Sequence, residues 1–247
     1  MCEQVNGFVD KIVGETQIFE QSMSFAKTVE DLGLSRFPIQ KKYKKFIFDM
    51  DGTLVDSRLA IERIWRMWAA EKNMDIAALL CASQGRRTQD TVRDFALKEM
   101  DIEAEVAWLQ GKEETDLEGI VSIPGAYEFL TGLKCDDWAI VTSAGRLLAS
   151  KRLEAAGLPI PKVMISAEEV RFGKPSPEGF LLAAERLGVE PNQCLVFEDA
   201  PAGIAAGMAA GCDVIAIAAA RGHDFDAGCP VVRDFTELAF ENCGMIE

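Results

Sequence analysis

Histidine is almost absent from this chain of 247 residues, which contains only His223. Zinc sites of the His-Glu-x-x-His type, clustered-histidine metal sites and most imidazole proton relays need more than one histidine, so the sequence excludes them. We expect His223 in a surface loop after the last predicted strand and assign it no role. Acid–base chemistry in this protein must therefore use other side chains.

The sequence also lacks a cysteine framework and a long apolar run. Its seven cysteines are odd in number and scattered, and no two are spaced as Cys-x-x-Cys. This pattern argues against disulfides or a four-cysteine metal site and predicts a reducing, cytoplasmic location. No apolar run approaches the roughly 18 residues of a membrane span. The first residues show neither the basic nor the apolar region of a secretion signal.

Positive charge is scarce relative to negative charge. The chain has 26 Lys and Arg against 40 Asp and Glu, a net charge of −14. Such a charge repels nucleic acids and anionic membranes, so we expect neither as a partner. Hydrophobic residues make up 49% and charged residues 27% of the chain, which is typical of a folded globular protein. The length suits one domain that carries an insertion.

Short apolar runs without alternation predict strands buried on both faces, as in a parallel sheet. They lie at 45–49, 138–143, 162–166, 194–198 and 213–217. Segments with helical spacing, such as 177–188, separate the later runs and are long enough for crossover helices. We therefore predict an α/β, doubly wound, Rossmann-like parallel sheet core.

The predicted core is interrupted once. Residues 58–122 are rich in helix formers and contain no convincing strand, which predicts an inserted helical cap domain between core segments 45–57 and 123–247. Linkers near 56–59 and 121–125 are the predicted hinges. Residues 1–44 form an N-terminal extension, partly helical, with a helix predicted near 16–32.

Acidic residues follow the first predicted strand, in the order Asp49-Met50-Asp51-Gly52-Thr53. Ligands of open α/β sheets bind just beyond the carboxyl ends of the strands, so these carboxylates are candidate functional groups. The spacing is similar to that of a calcium loop, but the twelfth position holds Ala60 where a glutamate is needed. A calcium site is therefore disfavoured.

Three further strand ends carry complementary groups. Thr142-Ser143 offers hydroxyls and following amides that suit phosphoryl oxygens. Gly173-Lys174-Pro175 offers an ammonium group at a fixed loop position. The third segment is the acidic pair Glu198-Asp199. Two acids at the end of an apolar strand are costly unless they are paired or bound to a cation. Each segment alone is also typical of an ordinary loop, and it is the combination of the four strand ends that is informative.

In this order the four segments resemble the four motifs of the haloacid dehalogenase superfamily of phosphohydrolases. The resemblance spans about residues 45–235, and segments 173–175 and 197–204 are similar to the subgroup of β-phosphoglucomutase and the small sugar-phosphate and glycerol-phosphate phosphatases. That subgroup carries a helical cap where the insertion lies here.

The resemblance implies a role for each motif residue. Asp49 is expected to be the nucleophile that forms an aspartyl-phosphate, and Asp51 the general acid and then base. Ser143 and Lys174 are expected to hold the transferring phosphoryl group.

The resemblance also implies a magnesium ion as cofactor. Asp49, the carbonyl of Asp51, and Asp199 are the expected ligands, with Glu198 as a ligand or immediately behind one. Substrate contacts are expected from Thr53, Ala144, Arg146 and the cap loop residues Gly85, Arg86 and Arg87.

These expectations describe a Mg²⁺-dependent phosphatase that acts on a small phosphorylated sugar or polyol as a monomer or weak homodimer. Two alternatives stay open. A phosphosugar mutase of the β-phosphoglucomutase type carries a histidine about ten residues after the acid/base aspartate, where this chain has Ile61. A catalytically idle binding module would be expected to lack Asp49 or Asp51, and both are present.

Overall fold

A computed structural model describes residues 37–39, 42–219 and 227–240. The helix predicted near 16–32, most of the N-terminal extension and His223 lie outside the described residues. Within those three ranges, no helix combines the length and the hydrophobicity that crossing a membrane requires.

Strands and α-helices alternate along the described chain between residues 121 and 217. The strands are β1 (Phe37–Ile39), β2 (Lys45–Phe48), β3 (Val55–Asp56), β4 (Val121–Ser122), β5 (Trp138–Val141), β6 (Val163–Ile165), β7 (Cys194–Glu198), β8 (Asp213–Ile217), β9 (Val231–Val232) and β10 (Leu238–Phe240). The helices are α1 (Arg58–Lys72), α2 (Ile76–Ser83), α3 (Thr88–Phe95), α4 (Ile102–Glu113), α5 (Ala126–Thr131), α6 (Arg146–Ala155), α7 (Glu178–Leu187) and α8 (Pro201–Ala209).

Six parallel strands form the central sheet in the order β6-β5-β2-β7-β8-β9. The α/β doubly wound, Rossmann-like fold is thereby confirmed, and the five predicted apolar runs are β2, β5, β6, β7 and β8. β9 has only two residues, which is too short for a periodicity signal. β1 and β10 form a separate parallel pair that the sequence analysis also missed.

The core lies on both faces of this sheet because successive side chains of a strand point to opposite faces. In β2, Phe48 packs on one face and Ile47 on the other, and neither is exposed to solvent. Phe48 stacks on Phe197 of β7 with ring centroids 4.9 Å apart. Phe129 and Phe235 complete this aromatic layer.

Helices α1–α4 (residues 58–113), here called the four-helix unit, pack around an apolar cluster of their own. Trp68 is fully buried at its centre, 5.6 Å from Trp65 between ring centroids, and its indole N–H donates to Glu105. At the base of the unit β3 and β4 pair antiparallel, so the two chain connections to the sheet lie side by side. The domain boundaries at 58 and 122 stay a prediction.

The order of the strands decides which side chains can meet. β2 lies between β5 and β7, and the three strands run parallel. Residues that follow them, Asp49, Thr142 and Asp199, therefore emerge at one edge of the sheet.

Candidate active site

The nucleophile candidate Asp49 leaves β2 into a buried position, with 5% of its surface exposed. Its carboxylate is ion-paired with the ammonium of Lys174, which also pairs with Glu198 Oε1 at 2.7 Å and donates to the carbonyl of Val141 at 3.2 Å. Burial by itself lowers the pKa of Lys174, but the carboxylates of Asp49 and Glu198 outweigh this and raise it. Lys174 is therefore a fixed positive charge beneath Asp49.

Three carboxylates converge beside this ammonium. Oxygens of Asp49, Glu198 and Asp199 lie within 4.8 Å of one another, and all three residues are buried. Burial, together with the charges of Glu198 and Asp199, raises the pKa of Asp49 well above its usual value despite Lys174. A divalent cation would relieve this excess negative charge, and carboxylate oxygens are the ligands that Mg²⁺ prefers. The residues present therefore fit a magnesium ion.

Two glycines allow the carboxylates to come so close. A Cβ atom on Gly203 would lie 1.6 Å from Glu198 Oε1, and one on Gly52 would lie 2.3 Å from Asp199 Oδ2. The other oxygen of Glu198 accepts the backbone N–H groups of Asp199 and Ala200, each at 2.8 Å. Backbone N–H groups just before α8 thus hold the Glu198 carboxylate in place.

The acid/base candidate Asp51 points away from the acidic cluster. Its Oδ1 accepts the Ser57 hydroxyl at 2.5 Å, and its Oδ2 accepts Arg152 Nη1 at 2.9 Å. Gly52 has φ +91°, which turns the chain tightly enough for its N–H to donate to the carbonyl of Val55 at 2.7 Å. The predicted metal contact through the Asp51 carbonyl stays a prediction.

The Thr142-Ser143-Ala144 segment leaves β5 beside Asp49. The Ser143 hydroxyl donates to the carbonyl of Gly85 at 2.8 Å, and the Ala144 N–H donates to Thr142 Oγ1 at 3.0 Å. Thr53, expected at the substrate, is fully buried with its hydroxyl 3.4 Å from Asp199 Oδ1. Ser143 and Ala144 line the cavity described below, and Thr53 lies behind Asp199.

The loop before α3 carries the three predicted cap contacts, and its two arginines are engaged by protein groups. Arg87 is buried, pairs with Asp90 at 2.6 Å and donates to the carbonyl of Val170 at 3.1 Å, so it joins the four-helix unit to the sheet. Arg86 pairs with Asp94 at 2.6 Å, and both arginines line the cavity described below. Their predicted substrate contacts stay predictions.

Arg146 begins α6 but turns its side chain away from the predicted phosphoryl site. Its guanidinium donates to the carbonyl of Met164 at 2.7 Å and pairs with Glu169. Partial burial raises the pKa of Glu169, but hydrogen bonds from Arg186, Ser166 and Arg146 outweigh it and lower that pKa to about 2. The substrate contact predicted for Arg146 stays a prediction.

The sequence analysis missed Arg152 and Glu113. Arg152 lies on α6 with 3% of its side chain exposed, and Glu113 ends α4 with 7% of its surface exposed. A signal was available in α6, where Arg152 shares the buried face with Leu148, Ala149 and Leu153. A charged residue on an apolar helix face has to be paired, and this one pairs with Asp51.

A cavity of about 390 Å³ lies between the four-helix unit and the carboxyl edge of the sheet. This volume is in the range that binds small molecules. The sheet side contributes Asp49, Asp51, Ser143, Arg152 and Asp199, and the four-helix unit contributes Arg86 and Glu113. A carboxylate nucleophile, a second carboxylate, a fixed cation and a metal-binding cluster can together transfer a phosphoryl group.

Comparison with known proteins agrees with this chemistry. A family model described as haloacid dehalogenase-like hydrolase matches residues 43–211. The chain is 45% identical over 178 residues to hexitol phosphatase A of Escherichia coli, which covers 70% of this chain and 82% of that protein. It is 37% identical over 217 residues to glycerol-1-phosphate phosphohydrolase 2 of Saccharomyces cerevisiae, covering 81% and 86%.

Among solved structures, β-phosphoglucomutase of Clostridium difficile has the same fold. It superimposes with a TM-score of 0.68 at 22% identity, covering 80% of this chain and 93% of that one.

Proposed function

The chain belongs to the haloacid dehalogenase-like hydrolases, and on that premise we propose that it is a Mg²⁺-dependent phosphatase of a small phosphorylated sugar or polyol. The resemblance inferred from the four strand ends is thereby confirmed. The observation that carries the proposal is the buried group of Asp49, Lys174, Glu198 and Asp199 beside a cavity of about 390 Å³. The polyol class comes from the two named relatives, which act on hexitol and glycerol phosphates by name.

Hydrolysis proceeds in two displacements in this proposal. A carboxylate oxygen of Asp49 attacks phosphorus, the bond to the substrate oxygen breaks, and Asp51 gives its proton to the departing alcohol. Asp51 then takes a proton from a water molecule, whose oxygen attacks phosphorus and releases Asp49 and inorganic phosphate. Asp51 can serve both steps because Asp49 and Asp51 line the same cavity.

Charge stabilisation comes from groups that the fold fixes in advance. Lys174 is held beneath Asp49 by two carboxylates and a backbone carbonyl, so its charge needs no reorganisation during the reaction. Asp49, Glu198 and Asp199 would hold Mg²⁺, which supplies positive charge against the phosphoryl oxygens when bound. Ser143 and Ala144 line the cavity, and the Ser143 hydroxyl can donate to a phosphoryl oxygen in place of the Gly85 carbonyl.

The test is phosphate release from a panel of hexitol, glycerol, sugar and nucleotide monophosphates with and without Mg²⁺. We expect Mg²⁺-dependent turnover of hexitol or glycerol phosphates, and its loss in Asp49→Asn. Asp136→Asn is the matched control, because its side chain is 71% exposed and pairs only at the surface. No release from any ester would refute the phosphatase.

The same panel distinguishes the two alternatives. Conversion of β-glucose 1-phosphate to glucose 6-phosphate without phosphate release would identify a mutase. Equal and negligible turnover by the wild type and Asp49→Asn would identify an idle module.

A further inference from the structure

The cavity wall contains a buried arginine with unused hydrogen-bond donors. Arg152 is 2% exposed, and among the described residues neither its Nε nor its Nη2 has a hydrogen-bond partner. Leaving a buried donor unpaired destabilises a fold, so such a group in a native structure calls for an explanation. Because Arg152 lines the cavity, a group bound there can approach these donors.

A buried carboxylate faces the same donors. Glu113 Oε1 lies 3.9 Å from Arg152 Nη2, which is beyond hydrogen-bond length. In the described part of the chain, the hydrogen bonds to its carboxylate come from the Thr88 hydroxyl, at 3.3 and 3.5 Å. A hydroxyl oxygen between these two atoms can lie about 2.8 Å from each of them, with an angle of roughly 90° at the hydroxyl oxygen. The separation therefore suits an inserted hydroxyl group.

The pair stands where the leaving alcohol must lie. Arg152 Nη1 donates to Asp51 Oδ2 at 2.9 Å, and Asp51 is the residue proposed to protonate the departing oxygen. An alcohol in contact with Asp51 therefore has Arg152 and then Glu113 as its next neighbours along the cavity wall.

We propose that Arg152 and Glu113 form a subsite that binds hydroxyl groups of the alcohol part of the substrate, an inference that rests on the proposed function. The hydroxyl oxygen accepts from Nε or Nη2 of Arg152, and its hydrogen is donated to the carboxylate of Glu113. A polyol fits this demand because each of its hydroxyls is both donor and acceptor.

Charge also determines which chemical groups the subsite accepts. Glu113 presents a carboxylate to the subsite, so a group bound there has to donate a hydrogen to it. A neutral polyol chain is accepted, whereas a carboxylate or second phosphate at the same place meets like charge. Because Glu113 belongs to the four-helix unit and Arg152 to the sheet part, the subsite exists only where the two adjoin.

The test compares Glu113→Gln with Glu103→Gln, an exposed position on the same helix α4. For each variant kcat and KM are measured on a hexitol phosphate and on p-nitrophenyl phosphate, which has no aliphatic hydroxyl. We expect the ratio of kcat/KM for the hexitol ester over the aryl ester to fall at least tenfold in Glu113→Gln, mainly through KM. Glu103→Gln should keep the wild-type ratio.

An equal loss on both esters would overturn the proposal, because it would show a structural role alone. An unchanged ratio would also overturn it.

A second measurement uses only the wild type and so does not depend on the folding of a variant. Free hexitol should inhibit at least tenfold more tightly than an aldonate of the same chain length, and equal inhibition would overturn the subsite. Both results are separable from the proposed function. If Asp49-dependent phosphate release is present, the phosphatase stands whether or not the subsite does.

Discussion

Gly85 lies where the four-helix unit meets the carboxyl edge of the sheet. It has φ +69°, and a Cβ atom there would lie 2.6 Å from Cβ of Ala200. Its carbonyl accepts the hydroxyl of Ser143 at 2.8 Å, across the wall of the cavity. Since carbon atoms pack at about 3.5–4.0 Å, Gly85→Ala has to move this wall by about 1 Å.

The expected effect has two parts. The left-handed backbone costs a residue with a Cβ about 1–2 kcal/mol of stability, whatever its surroundings. The contact with Ala200 adds a displacement of the cavity wall, and misplacement by about 1 Å can reduce an enzymatic rate about 100-fold. We therefore expect kcat/KM to fall roughly 30- to 100-fold, equivalent to about 2–3 kcal/mol.

Gly188→Ala separates the two parts. Gly188 has φ +72°, but a Cβ atom there would have no neighbour within 4 Å, so only the backbone cost applies. Steady-state kinetics on the best phosphate ester and urea denaturation should show both variants destabilised and only Gly85→Ala slowed. If the two variants agree in kcat/KM within threefold, the docking of this loop does not contribute to catalysis.

Three further predictions concern stability. The pKa of Glu169 is about 2 in the fold, below the unfolded value of about 4.3, so the charged carboxylate stabilises the fold at neutral pH. In urea denaturation at pH 7, Glu169→Gln should therefore lower the free energy of unfolding by about 1–2 kcal/mol, and this loss should shrink as the pH falls from about 4 to 2. Gly203→Ala should destabilise by about 1–3 kcal/mol, by the same assay, because its Cβ would meet Glu198. Saturating Mg²⁺ should raise Tm by roughly 5–10 °C through the carboxylate cluster, by calorimetry.

Each of these has a matched control. Glu154→Gln, at an exposed position, should show no pH-dependent difference. Gly111→Ala should stabilise the fold by up to about 1 kcal/mol, because Gly111 is helical and no atom lies near the position of its Cβ. If Gly203→Ala also stabilises the fold, the inferred clash between its Cβ and Glu198 is wrong. Asp49→Asn should reduce the Tm rise with Mg²⁺, and an unreduced rise would place the ion elsewhere.

The sequence alone determined the sheet and its catalytic edge. Apolar runs without alternation, such as the one ending at Phe48, can be satisfied only by burial on both faces, which means a parallel sheet between helices. The carboxyl ends of parallel strands lie at one edge of the sheet, so the acidic and hydroxyl side chains that follow these strands converge there. Asp49, Glu198 and Asp199 could therefore be brought together from the sequence, whereas Lys174 reaches them from the loop between β6 and α7.

Only the tertiary structure decided what surrounds these groups. Arg152 and Asp51 are 101 positions apart, and they meet because of how α6 packs beside the turn after β2. The hydrogen bond from Arg87 to the carbonyl of Val170, 83 positions away, likewise depends on how its loop packs. A periodic pattern specifies which face of an element is buried, whereas a side chain's partner depends on the relative placement of elements distant in the chain, and only the folded structure contains that placement.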